Sequence, residues 1–200
     1  MDSRPSSYGG LEVPAPVKIV VAGGFGVGKT TFVGAISEIP PLTTESALTT
    51  ASLGIDDTTQ VTGKTTTTVA MDFGRITLLD SIILYLFGTP GQQRFWFMWD
   101  ELVLGAIGAV VLVDTRRLAE SFPAVDYFED RDIPFLVAVN KFAGGQEYRV
   151  DDIRDALDID ERRPIVFCDA RQRESVRRTL VSLVRHALDV VESEAYSVTS

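Results

Sequence analysis

The chain has 200 residues, of which 45% are hydrophobic and 24% are charged, as expected for one compact globular domain. Its net charge of −9, from 19 basic and 28 acidic residues, argues against a broad surface for nucleic acid or for anionic membranes. We recognise no apolar stretch near the roughly 18 residues of a membrane span, no signal peptide and no lipidation motif, so we expect no direct membrane anchor. The single cysteine, Cys168, excludes an internal disulfide and favours a cytoplasmic location.

Along the chain, apolar strands alternate with helices. Residues 1–14 are predicted to be a disordered tail and residues 191–200 a flexible one, with a single domain over residues 15–190 between them. Strands are predicted at 17–22, 69–76, 82–87, 109–114, 135–140 and 165–168. Helices are predicted to begin near Thr31, around 122–128 and 153–157, and near Glu174. Because only a short turn separates the second and third strands, we expect a six-stranded, doubly wound, mostly parallel α/β sheet with one antiparallel edge strand.

The segment between the first strand and the first helix has the spacing G-x-x-x-x-G-K-T of a phosphate-binding loop, and this places the chain in the P-loop NTPase class. Glycines let successive N–H groups point inward as an anion nest, and the helix start adds its positive dipole end. Lys29 is predicted to reach the β- and γ-phosphates, and the Thr30 hydroxyl to ligate Mg²⁺. The predicted binding residues here are Gly23, Gly26, Val27, Gly28, Lys29, Thr30 and Thr31. The alternative is a glycine-rich turn that binds no ligand.

The third strand runs into Phe87-Gly88-Thr89-Pro90-Gly91-Gln92, and here the sequence resembles the small Ras-like GTPases, which read D-x-x-G-Q at this place. The resemblance implies that the Gly91 N–H binds the γ-phosphate and that Gln92 orients the attacking water, so that Gln92 and Lys29 are the catalytic residues. It also implies a second hydroxyl ligand for Mg²⁺. That ligand is Thr68, which stands four residues before Asp72-Phe73, as in the Thr-x-x-x-Asp-Phe pattern of those GTPases.

The base-reading motifs of the same superfamily are only partly present. Asn140-Lys141-Phe142-Ala143 resembles N-K-x-D, and Cys168-Asp169-Ala170-Arg171 resembles the Ser-Ala-Lys loop. This implies guanine contacts from Asn140, the Lys141 stem and the Ala170 N–H, with GTP and GDP as the ligands. Ala143 lacks the carboxylate that would accept two hydrogen bonds from guanine, and Gly88 lacks the carboxylate that would support Mg²⁺. We therefore expect weaker Mg²⁺ affinity, slow hydrolysis and a reduced guanine preference, unless another carboxylate, such as Glu147 or Asp169, is the substitute.

Within the superfamily, residues 37–44 and 64–76 resemble the small GTPases of actinobacterial conservon operons, with the bacterial gliding-motility polarity GTPases as wider kin. This resemblance implies a roadblock-type regulatory partner and other conservon operon products. The polarity GTPases can carry an arginine just before the position of Thr68, where this chain has Thr67, so an arginine finger from that position is not available. Arg94 and Arg75 are the candidate substitutes, and the alternative for each is an ion-pairing residue at the surface.

Three functions are consistent with these motifs. The leading one is a GTP-binding switch in bacterial signalling, with slow and partner-assisted hydrolysis of GTP. The second is a nucleotide-binding regulatory module with little or no hydrolysis. The third, a small-molecule kinase, is disfavoured because no arginine-rich lid follows the fourth strand. The run Phe95-Trp96-Phe97-Met98-Trp99 is either a partner surface or a set of side chains packed under the sheet.

Overall fold

The computed structural model describes residues 14–40, 42–48, 67–78, 82–91, 93–143, 145–146 and 148–198. Seven strands form: β1 (Ala15–Ala22), β2 (Leu42–Leu48), β3 (Thr67–Leu78), β4 (Ile82–Gly88), β5 (Ala106–Val113), β6 (Phe135–Asn140) and β7 (Ile165–Cys168). The α-helices are α1 (Lys29–Ile36), α2 (Trp99–Val103), α3 (Phe122–Glu129), α4 (Val150–Leu157) and α5 (Arg173–Val198). Two 3-10 segments, Gln93–Met98 and Thr115–Ser121, precede α2 and α3.

The strands form one sheet in the order β2-β3-β4-β1-β5-β6-β7. Pairing is parallel from β4 across to β7, whereas β3 runs antiparallel to both of its neighbours. The predicted fold class is confirmed: all six predicted strands form, and the sheet is mostly parallel with one antiparallel strand. The sequence analysis missed β2, which covers β3 and so places the antiparallel strand one position in from the edge. Leu42–Leu48 reads as a polar loop because it lacks apolar alternation, although its threonines suit an extended backbone.

The sheet separates two apolar layers. Successive residues of a strand point to opposite faces, so Ile19 and Val21 of β1 enter one layer while Val20 and Ala22 enter the other. Buried side chains of α1 and α5 complete the first layer, and those of α2, α3 and α4 complete the second. With helices on both faces, the carboxyl ends of β1, β4, β5 and β6 meet at one edge of the sheet, where ligands bind in such folds.

The C-terminal part of the chain differs from expectation. The predicted flexible tail begins at residue 191, but α5 continues through Val198, because residues 191–198 contain neither glycine nor proline to end the helix. Cys168 is buried at the end of β7. Among the helices in the described ranges, none is long and apolar enough to cross a membrane.

The aromatic run after β4 mostly packs inward. Trp99 is 1% exposed, stacks near Phe128 and donates its indole N–H to the carbonyl of Pro90 at 3.3 Å. Phe95 is also buried, whereas Phe97 is 63% exposed. The packing interpretation of this run therefore holds for Phe95 and Trp99, and Phe97 is the member left for a partner surface.

Candidate phosphate-binding site

The glycine loop has a shape that only glycine allows at two positions. Gly23 has φ +133°, and a Cβ built there would lie 2.4 Å from the carbonyl oxygen of Leu112. Gly28, the N-cap of α1, has φ +105°, and its Cβ would lie 2.6 Å from Nδ2 of Asn140. Positive φ values of this kind strain any residue with a side chain. The loop between β1 and α1 is thus tightly packed against β5 and β6 and directs the start of α1 to the site.

Lys29 lies at the centre of this loop. Its ammonium group donates to the carbonyl oxygens of Gly23 at 2.9 Å and Gly24 at 2.8 Å, and the residue is 8% exposed. Burial lowers the pKa of Lys29 to about 8, and the nearby carboxylates of Asp72 and Glu120 offset only part of that shift. A cation held with so little water is strongly stabilised by an arriving anion.

A carboxylate of the neighbouring strand lies beside Gly88, where the sequence lacks one. Asp72 of β3 lies opposite Gly88 of β4, and Thr30 donates its hydroxyl to Oδ2 of Asp72 at 2.7 Å. Asp72 is 9% exposed, and a Cβ on Gly88 would lie 2.9 Å from its Cβ. Gly88 thus leaves the room that the Asp72 side chain occupies.

Of the two substitutes named from the sequence, the structure describes only Asp169. Asp169 pairs with Arg171 at 2.9 Å, and Glu147 lies outside the described residues. Asp72 entered the sequence analysis only as a marker of position. The signal that could have identified it was the antiparallel register of two strands joined by a short turn.

Hydroxyl and carboxylate oxygens at a helix N-terminus suit a hard cation such as Mg²⁺, so Thr30 and Asp72 fit a metal that accompanies a phosphate ligand. Across the described residues, no cluster of three or more His, Cys, Asp or Glu side chains could hold a metal ion. Thr68, the other predicted metal ligand, has its backbone in β3, paired with Ala47 and not in a loop; its side chain lies outside the description.

The segment after β4 reaches the glycine loop. A Cβ on Gly91 would lie 2.8 Å from Nζ of Lys29 and 2.9 Å from Cα of Phe25, so a side chain does not fit there. Gly91 therefore lies next to the Lys29 ammonium group. The contact of its N–H with a terminal phosphate stays a prediction. Gln92 lies outside the described residues. Arg75 is three residues beyond Asp72 on β3, about 10 Å along the strand, which removes it from the phosphate loop.

On the other side of the loop, Asn140 joins three segments. Its Nδ2 donates to the carbonyl of Val27 at 2.9 Å, and its Oδ1 accepts from the Ala170 N–H at 3.0 Å. The Ala170 amide, which we predict to contact a base, is thus engaged by Asn140 in this structure. Asn140 is 7% exposed, so its two bonds lie in the interior.

A cavity of about 370 Å³ opens beside Asn140. Its walls are Gly26, Gly28, Thr31, Arg116, Asn140, Lys141, Phe142, Ala143, Ala170 and Arg171. No carboxylate lines it among the described residues, which agrees with the loss at Ala143. The Arg116 guanidinium, which the sequence analysis missed, lies 4.0 Å from the centre of the Phe142 ring and is held by Asp114 at 2.7 Å. Stacked cationic and aromatic groups are well suited to a planar base.

Comparisons with known proteins agree with this geometry. A family model described as "Conserved hypothetical ATP binding protein" matches residues 21–190. The uncharacterized protein MJ1339 of Methanocaldococcus jannaschii is 31% identical over 157 residues, which cover 78% of this chain and 81% of that protein.

Two solved structures share the fold. The G domain of the T. maritima FeoB iron transporter has a TM-score of 0.60 at 18% identity, covering 86% of this chain and 99% of that one. The FeoB G domain from Methanococcus jannaschii has a TM-score of 0.57 at 14% identity, covering 86% and 97%. At these identities the likeness establishes the P-loop G-domain fold alone. None of these four matches tests the resemblance to the conservon or gliding-motility GTPases.

Proposed function

The chain belongs to the family of conserved hypothetical ATP-binding proteins, and we propose that it binds a purine nucleoside triphosphate and acts as a nucleotide-dependent switch with slow hydrolysis. On the resemblance of residues 140–143 and 168–171 to guanine-binding motifs, we propose GTP as the preferred nucleotide. The observation that carries the proposal is the buried Lys29 ammonium, held by loop carbonyls beside the Thr30–Asp72 pair. Loop amides and Lys29 would bind the polyphosphate. In hydrolysis, water adds to the γ-phosphorus and the bond to the β-phosphate oxygen breaks, giving GDP, phosphate and a proton.

Two residues beyond Lys29 are proposed to act in that reaction. Gln92 is proposed to orient the water, and Gly91 lies against Lys29, close enough for its N–H to sense a terminal phosphate. Thr30 and Asp72 would hold Mg²⁺, which when bound would neutralise charge on the phosphate oxygens. Thr68 stays a proposed further ligand.

Asp72→Asn tests the substitute carboxylate. The amide oxygen can still accept a hydrogen bond from the Thr30 hydroxyl, so we expect the fold to persist. Because the negative charge is lost, the Mg²⁺ concentration that gives half of the full effect on nucleotide binding should rise about tenfold. The measurement is a magnesium titration of nucleotide binding. Asp151→Asn, at an exposed aspartate of α4, is the matched control and should leave the titration unchanged. An unchanged titration for Asp72→Asn would remove the assigned role.

Gln92→Leu separates hydrolysis from binding. Because the attacking water would lose the group that orients it, we expect the rate of phosphate release to fall by about tenfold or more. Nucleotide affinity should stay within about twofold of native, because Gln92 is not proposed to hold the bound nucleotide. The measurement is single-turnover phosphate release, with Gln93→Leu as the neighbouring control. Hydrolysis at the native rate in Gln92→Leu would contradict the role of this residue.

The identity of the base is tested by competition. Fluorescent GDP bound to the chain is displaced with GTP or ATP, and the proposal expects GTP to be the tighter competitor. An equal or reversed preference would favour the nucleotide in the family's description. The absence of a carboxylate at Ala143 motivates the alternative, a nucleotide-binding regulatory module with little or no hydrolysis. Binding without any phosphate release from the native chain would select that alternative.

Partners are proposed on resemblance alone. A roadblock-type regulatory protein and other products of a conservon operon would contact the 3-10 segment Gln93–Met98, where Phe97 is 63% exposed. The test is copurification of the chain with a roadblock-type protein in the presence of GDP or of a non-hydrolysable GTP analogue. Equal recovery with both nucleotides would contradict a switch that controls this contact.

A further inference from the structure

The connection between β5 and α3 lies across the outer side of the glycine loop. Nη2 of Arg117 donates to the carbonyl oxygen of Phe25 at 3.1 Å and would lie 3.5 Å from a Cβ on Gly26. Three residues later, Oε2 of Glu120 would lie 2.9 Å from a Cβ on Gly24. The loop is therefore contacted from outside by two charged side chains of one short segment, and neither was singled out from the sequence.

Arg117 is held in place by carboxylates on both sides. Its Nη1 donates to Glu120 at 3.2 Å, and its Nη2 lies 3.6 Å from Oδ2 of the buried Asp114. Within the 3-10 segment, Arg117 alone has a non-helical backbone, with φ −141° and ψ 48°. Two carboxylates and a local kink thus fix the guanidinium at the carbonyl of Phe25.

This contact determines where the next amide points. In a trans peptide, the carbonyl of Phe25 and the N–H of Gly26 lie in one plane and point in opposite directions, and the described residues contain no cis peptide. Because Arg117 holds the carbonyl outward, the Gly26 N–H points in the opposite direction. Gly26, with φ +70°, lines the cavity beside Asn140. An amide aimed in this way can donate to a phosphate oxygen.

We propose that Arg117 is a positioning residue for phosphate binding: it orients the Phe25–Gly26 peptide so that the Gly26 N–H donates to the phosphates of a nucleoside di- or triphosphate. The inference rests on the proposed function. The Arg117 side chain is 41% exposed and its ion pair with Glu120 adds little to stability, so its effect should be on ligand affinity and not on the fold. Because loop amides cradle the α- and β-phosphates, di- and triphosphates should depend on it equally.

The test is calorimetric titration of GDP and of a non-hydrolysable GTP analogue, each with Mg²⁺, into native chain, Arg117→Gln, Arg117→Lys and Arg177→Gln. Arg177 is the matched control, because it forms a similar exposed pair three residues from Glu174, at 3.1 Å, on α5. We expect Arg117→Gln to bind both nucleotides about tenfold more weakly than the native chain. Arg117→Lys should bind them with an affinity within about threefold of native, and Arg177→Gln with native affinity. Unchanged thermal unfolding of Arg117→Gln without ligand would accompany this result.

Four outcomes would overturn the inference or its premise. Native affinity in Arg117→Gln removes the positioning role. Weakening confined to the triphosphate analogue also removes it, because Arg117 would then touch the terminal phosphate directly. If the native chain binds neither nucleotide, the proposed function fails, which is a distinct result. Should Arg117→Gln not fold, the NMR shift of the Gly26 amide on adding GDP is compared between the native chain and Arg117→Lys. A Gly26 amide that does not shift in the native chain contradicts the proposal.

Discussion

Replacing Lys29 with Met is expected to weaken nucleotide binding by about a hundredfold or more, because charge-assisted hydrogen bonds to phosphate are lost at a poorly solvated position. The Nζ atom is surrounded by the carbonyls of Gly23 and Gly24, which cannot bind an anion without it. Met keeps the volume and the apolar stem, so packing around the start of α1 should persist. Calorimetry with GTP and ATP measures the loss.

The same residue predicts a pH dependence. In the free chain the pKa of Lys29 is about 8, and a bound polyphosphate should raise it. Below pH 8 Lys29 is already protonated in the free chain, so nucleotide affinity is fully present. Above pH 8 nucleotide binding must take up a proton, and affinity falls by up to about tenfold per pH unit until the pKa of Lys29 in the bound state is reached. Titrations at pH 7 and pH 9 in buffers of different ionisation enthalpy would show proton uptake only at pH 9.

Lys18→Met is the control for Lys29→Met. Lys18 lies in the middle of β1, donates to the carbonyl of Leu104 at 2.8 Å and lies 5.1 Å from the centre of the Phe87 ring. It should bind nucleotide as native does and with the same pH dependence. Native affinity in Lys29→Met, or a pH profile that survives this substitution, would contradict the role assigned to Lys29.

Removing the Asn140 side chain is expected to have the largest effect on stability. Asn140→Ala leaves the Val27 carbonyl and the Ala170 N–H without their partner in the interior, and we expect a loss of about 2–4 kcal/mol in the free energy of unfolding. Nucleotide affinity should fall as well, because this side chain joins the glycine loop to β6 and to the loop after β7. Urea unfolding followed by circular dichroism measures the change.

Gln146→Ala removes a comparable amide at the surface. Its side chain accepts only a long hydrogen bond from Tyr148, at 3.4 Å among exposed groups, so a change within about 0.5 kcal/mol is expected. If Asn140→Ala unfolds at the same urea concentration as Gln146→Ala, the three segments are not held together by Asn140.

The central strands could be predicted from the sequence because they are continuous apolar runs bounded by turns. Such runs predicted β6 and β7 with their observed limits, and the short turn before Ile82 predicted the antiparallel pair. The strand β2 could not be predicted in this way, since Leu42–Leu48 is held by backbone pairing to β3 and has no apolar period of its own. The length of α5 was missed for a related reason, because a polar helix end resembles a tail.

For the site, local spacing predicted the glycine loop, and tertiary contacts decided the rest. Gly23 to Thr30 is a contiguous motif, whereas Asp72 comes within 2.7 Å of Thr30 only because β3 and β4 pair in one register. Arg117 is a further case: it is one of two adjacent arginines, and a kink in the backbone decides which of them meets the carbonyl of Phe25. The predicted roles of Thr68 and Gln92 depend on parts of the chain that the structure leaves undescribed.

The most direct test of the account is a crystal structure of the chain with Mg²⁺ and a non-hydrolysable GTP analogue. The account predicts phosphate oxygens about 3 Å from Nζ of Lys29 and from the backbone nitrogens of Gly26 to Thr30, with the base in the cavity beside Phe142. Polyphosphate density at any other place on the molecule, or a glycine loop that stays empty at millimolar analogue while Lys29 keeps its bonds to Gly23 and Gly24, would contradict it.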